Sequence, residues 1–117
     1  MKVLKFGGTS VGTAASLANV KRIVESRDER VIVVVSALGG LTDKLISTAR
    51  QASQGDVSYL QSYAQIVERH NDIINAMVPR SRRMYVEQIT SSLLDELGNI
   101  FRGVSLIKDL SCRTLDI

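Results

Sequence analysis

Residues 30–36 read RVIVVVS, with five β-branched residues in succession and no polar residue among them. A strand with one face in water alternates apolar and polar side chains, whereas an unbroken apolar run is the pattern of a parallel strand covered on both faces. A parallel partner has to be reached by a crossover of a dozen or more residues. Upstream, residues 2–6 (KVLKF) are short, β-rich and end at Gly7. Residues 13–26 then carry Leu17, Val20, Ile23 and Val24 at steps of three and four, which leaves Lys21, Arg22 and Glu25 toward water. RDER turns the chain back, so the first 36 residues predict a βαβ unit and an α/β fold.

The remainder predicts helices. Thr42 and Asp43 stand where an N-cap belongs, ahead of Leu45, Ile46 and Ala49, and Gly55 closes that segment. A helix over residues 57–77 is carried by Leu60, Ala64, Val67, Ile74 and Met77 and ended by Pro79. Another over residues 82–101 has Val86, Ile89, Leu93, Leu97 and Ile100 on one face, with Gly98 weakening its last turn. SLIKDLS reads as a short extended piece, and Ser111 as the N-cap of a further helix. Two strands do not make a stable parallel sheet, so the expectation is a natural protein that continues past Ile117 and adds strands.

Composition sets the partners aside. Hydrophobic residues make up 44% of 117, and the net charge of +3 comes from Lys and Arg interspersed with Asp and Glu, so no basic stripe calls for nucleic acid or a membrane surface. No segment approaches the ~20 apolar residues needed to span a bilayer, and the start lacks the apolar core of a leader. Cys112 has no cysteine to pair with and forms no metal-ligand spacing with His70, which fits a reducing compartment and a cytoplasmic location.

Between the first strand and the first helix lies KFGGTSVG, residues 5–12. A simple turn needs one residue tolerant of positive φ; here glycine amides and the hydroxyls of Thr9 and Ser10 follow a lysine, the chemistry of an anion cradle. Gly7 and Gly12 match the glycines of the Walker A pattern, but Thr13 stands where that pattern needs lysine. The dinucleotide pattern fails as well, because Thr9 and Ser10 replace its glycines. Ligands in open α/β sheets sit beyond the carboxyl ends of the strands, and the following helix N-terminus adds about half a positive charge there.

KFGGTSVG, followed by VIVVVSALGGLTDKL and LIKDLSCRTLDI, resembles aspartate kinases of the amino-acid kinase family over essentially the whole chain. The likeness is greatest to the kinase portion of bifunctional aspartokinase/homoserine dehydrogenases, with Cys112 where a proline is common. The resemblance implies a three-layer fold with a mainly parallel sheet, of which residues 1–117 form the N-terminal part: βαβ followed by a helical insert. It implies transfer of the γ-phosphoryl of ATP to the side-chain carboxylate of L-aspartate, the entry step to lysine, threonine and methionine, by a homo-oligomer when full length. Lys5 would neutralise charge on the transferring phosphoryl, and Gly7, Gly8, Thr9, Ser10 and Ser36 would hold phosphate. Thr42 would bind aspartate. The family's adenine and Mg²⁺ sites and its aspartate-binding glutamate fall after these motifs, so the 117 residues alone are expected to be inactive.

Plainer readings stand beside these. Gly7 and Gly8 could make a tight turn, Lys5 could be a solvated strand end, Ser36 a turn donor and Thr42 an N-cap. His70 reads as a helix-surface hydrogen bonder, Cys112 as an inert thiol, and Arg80, Arg82 and Arg83 as a solvated helix start. The functional alternatives are a non-catalytic anion-binding or assembly module, or a kinase of the same family acting on glutamate, carbamate or uridylate.

Overall fold

A computed structural model describes residues 1–115, with side chains through residue 110. The chain divides into two compact units, Met1–Thr42 and Asp43 onward.

The first unit runs strand β1 (Lys2–Phe6), a 3-10 turn (Gly8–Val11), helix α1 (Ala14–Glu25) and strand β2 (Val31–Val35). The strands are parallel, with Lys2 opposite Val31 and Phe6 opposite Val35. The ladder extends one bond beyond each end: the Lys2 N–H donates to the Arg30 carbonyl and the Ser36 N–H to the Phe6 carbonyl, both at 3.1 Å. This is the βαβ unit expected from residues 1–36, with the strand and helix limits displaced by a residue at most. The coverage expected for β2 is not supplied, since Ile32, Val33, Val34 and Val35 remain 40 to 56% exposed. Among the described residues the sheet has two strands, too few to bury a run that is apolar on both sides.

The second unit is helical. Helix α2 (Leu41–Ser53) ends in a Schellman turn: Gly55 has φ +72°, its N–H donates to Ala52, and the Asp56 N–H donates to the Gln51 carbonyl at 2.9 Å. Asp56 then accepts the Ser58 N–H at 2.9 Å, and that bond, with one from the Ser58 hydroxyl, holds its carboxyl below the usual carboxylate range. Helices α3 (Tyr59–Met77) and α4 (Arg80–Leu115) pack along each other, with Ile66, Ile74, Leu94 and Phe101 buried. The Tyr63 ring meets Phe101 edge-on at 6.2 Å, and its hydroxyl donates to the Leu94 carbonyl at 2.6 Å. Burial, together with the Asp95 charge, pushes that phenol upward.

Helix α4 corrects the sequence reading in three ways. It starts at Arg80, because Pro79 both ends α3 and opens the next helix, with its carbonyl accepting the Arg82 N–H at 2.9 Å. It also continues unbroken through SLIKDLS and Ser111. No proline or glycine follows Gly103 there, and extending an existing helix is far easier than starting one, so Ser111 is absorbed instead of capping a new helix. Third, Arg83 is half-buried and engaged: its guanidinium donates to the carbonyls of Asn75 and Val78 at 3.1 Å each and so caps the end of α3. Side chains from Ser111 onward, Cys112 included, lie outside the described residues, as do residues 116 and 117.

Gly98 has a packing reason to be glycine. A Cβ there would stand 2.7 Å from the Tyr63 hydroxyl oxygen, whereas one at Gly103 would meet nothing within 4 Å. Gly103→Ala is therefore expected to raise stability by about 0.5–1 kcal/mol through helix propensity alone. Gly98→Ala gains the same propensity yet should lower stability by about 1 kcal/mol through overpacking. Urea unfolding midpoints of the two variants check the opposite signs.

Candidate functional site

The carboxyl ends of β1 and β2 lie side by side, joined by the bond from Ser36 to Phe6. From β1 the chain leaves through Gly7, in extended conformation (φ −81°, ψ 176°), and coils at once into the 3-10 turn, where the Ser10 N–H donates to the Gly7 carbonyl at 3.1 Å. The leading amides of such a turn have no acceptor inside it, and no side chain caps this one. Helix α1 starts only after Thr13, in a capping box: Thr13 Oγ1 accepts the Ser16 N–H at 3.1 Å, and Ser16 Oγ accepts the Thr13 N–H at 3.0 Å. Those two donors are satisfied locally, which leaves the glycine turn as the source of open amides.

From β2 the chain passes Ser36 and Ala37 into a second glycine pair. The Leu41 N–H donates to the Leu38 carbonyl at 2.9 Å, and Gly40 takes φ +77°, a conformation that glycine adopts without strain. Helix α2 thus begins at Leu41, and Thr42 lies within its first turn and not at the N-cap expected of it. Gly39 lies against the first glycine turn. A Cβ on Gly39 would be 2.7 Å from the Gly8 carbonyl oxygen, and one on Gly12 would be 3.3 Å from the same oxygen.

The structure therefore brings Gly7, Gly8 and Ser36 to one end of the strand pair and adds Gly39, which the sequence reading did not single out. The signal for it was present: each parallel strand is followed, within a few residues, by a Gly-Gly pair. Lys5 is exposed on β1 one residue before the strand ends, and no carboxylate among the described residues pairs with it. Thr9 and Ser36 are exposed and Ser10 is half-buried. Thr42 is exposed, and no hydrogen bond among the described residues ties its hydroxyl to the glycine turns. His70 lies elsewhere, its Nδ1–H donating to the Ile66 carbonyl at 2.7 Å as a helix-surface bond. Among the described residues no three His, Cys, Asp or Glu side chains gather into a metal-binding group, and no helix is long and apolar enough to cross a membrane. An unpaired ammonium, open amides and free hydroxyls can hold an oxyanion, but they offer no proton acceptor.

Comparison with known proteins gives this arrangement a family context. The model of the amino acid kinase family matches residues 1–111. Aspartokinase 2, chloroplastic, of Arabidopsis thaliana is 31% identical over 116 residues, which covers 97% of this chain and 21% of that protein. Bifunctional aspartokinase/homoserine dehydrogenase 2, chloroplastic, of the same plant is 41% identical over 69 residues, 58% of this chain and 8% of that protein. An aspartokinase of Bacillus sp. (strain MGA3) is 48% identical over 54 residues, 44% of this chain and 13% of that protein. The chain thus spans about a fifth or less of the length of these relatives.

The geometry separates residues that hold the site from residues free to act in it. Thr13→Ala, which removes the cap of α1, should cost about 1 kcal/mol. Lys5→Ala should change stability by less than about 0.5 kcal/mol, since the side chain is exposed and without an ion pair. Denaturant unfolding of the two variants tests the contrast.

Proposed function

The chain belongs to the amino acid kinase family, and from that premise we propose that it forms the phosphate-gripping part of an ATP-dependent aspartate kinase. The observation that carries this reading is the pairing of two glycine turns at the carboxyl ends of two in-register parallel strands, with an unpaired lysine beside them. The matches to aspartokinases that cover 97% of this chain support the choice of acceptor.

In this reading the amides of Gly7 and Gly8 and the hydroxyls of Thr9 and Ser10 hold oxygens of the ATP phosphates. The Lys5 ammonium approaches the γ-phosphoryl and offsets the charge that spreads over its oxygens as the bond to the leaving oxygen stretches. Ser36, one bond from Phe6, borders the same crevice. Thr42 hydrogen-bonds L-aspartate, whose side-chain carboxylate attacks phosphorus to give 4-phospho-L-aspartate. No general base is needed, because that carboxylate is already ionised at neutral pH. ATP carries Mg²⁺ into such sites, but the described residues gather no carboxylate group to hold the ion, and no metal ligand is assigned on this chain.

The test is turnover of the full-length protein that carries this sequence. Lys5→Ala should lower kcat with aspartate and ATP by about a hundredfold or more while leaving unfolding unchanged. A rate near that of the wild type would favour a non-catalytic anion-binding module, and faster phosphorylation of glutamate, carbamate or uridylate would replace aspartate as the acceptor.

A further inference from the structure

Two adjacent glycines, Gly39 and Gly40, are required for different reasons. Gly40 has φ +77°, and a Cβ there would meet nothing within 4 Å, so its requirement is conformational. Gly39 shows no positive φ, yet its Cβ would stand 2.7 Å from the Gly8 carbonyl oxygen, 3.3 Å from the Gly8 carbonyl carbon and 3.4 Å from the Gly12 Cα. All three are backbone atoms, which cannot swing aside as a side chain would. The strand ends cannot yield easily either, because β1 and β2 are in register and the Ser36 N–H is bonded to the Phe6 carbonyl. Any added atom at position 39 must therefore displace the turn Gly8–Val11, whose leading amides are the open donors.

We propose that Gly39 is a positioning residue for the polyphosphate cradle: by lacking a Cβ it allows the second glycine turn to back the first, and so sets where the Gly8 and Thr9 amides point. The proposal rests on the phosphate-binding reading given above. Gly39 touches no ligand in this role and acts through Gly8. Gly12 takes part from the other side, more weakly, since its Cβ would be 3.3 Å from the Gly8 oxygen and 3.8 Å from the Gly39 Cα. A merely structural glycine would affect melting alone; a positioning glycine changes phosphate affinity in molecules that are still folded.

The experiment uses the full-length protein that carries this sequence, labelled with ¹⁵N and held well below its melting temperature, titrated separately with ATP and with inorganic tripolyphosphate. In Gly39→Ala the Gly8–Val11 amide resonances should move before any ligand is added, and both dissociation constants should rise about tenfold or more, with helical circular dichroism retained. Gly12→Ala should move the same resonances by less, and it decides the matter if Gly39→Ala does not fold. Gly103→Ala, far along α4 in the other unit, serves as the alanine control and should bind within about twofold of wild type. The proposal is overturned if the Gly8–Val11 resonances stay in place, or if Gly39→Ala binds both ligands as the wild type does. A wild-type chain that binds neither ligand defeats the phosphate reading instead. The ligand-free resonances then still judge the steric claim: displaced amides uphold it and unmoved ones defeat it.

Discussion

The first unit depends on the parallel register of β1 and β2, and above all on its last bond, from the Ser36 N–H to the Phe6 carbonyl. That bond makes both strands end at the same level, so the chain leaves each strand beside the other. Both exits are glycine-rich, and they pack backbone against backbone, Gly8 with Gly39 and Gly12. A slip of one residue would separate the turns and reverse the faces of the strands together. Lys5, Gly7, Gly8 and Ser36 come to the same end of the strand pair because of the ladder, although Ser36 lies about thirty residues from the others in sequence.

Much of this was legible from local pattern. The apolar spacing of Leu17, Val20, Ile23 and Val24 located α1 to within a residue at each end, because that signal is satisfied within one helix. The βαβ order followed from an unalternating β2. What escaped were features decided by neighbours distant in sequence. The steric role of Gly39 exists only because residue 8 folds back onto it, and the need for glycine at 98 exists only because Tyr63 comes across from α3. Thr42 looked like a cap because its residue type favours one, yet Gly40 could take the left-handed conformation that let the helix begin a residue earlier than Thr42. Ser111 misled in the same manner: a good cap residue inside a segment without breakers is simply carried along by the helix.

The two units rest on different physics. The helical one buries Ile66, Ile74, Leu94 and Phe101 between its helices, and the Tyr63 hydroxyl ties α3 to α4. The sheet of the other leaves its valines in water and is held by backbone bonding and by the close approach of glycines. Function on the proposed reading belongs to this sparsely buried part, where donors can stay open to a ligand because little else competes for them.

Arg83 reaches back over Pro79 to the carbonyls of Asn75 and Val78, eight and five residues away. Loops that short close on a submicrosecond timescale, about 10–100 ns for ten residues. By contrast β1 and β2 can zip only after the whole crossover between them has been gathered in, which is the slower kind of event. During refolding, then, the α3–α4 corner should form early and the paired glycine turns mature late, so the helical hairpin would be in place well before the strand ends meet.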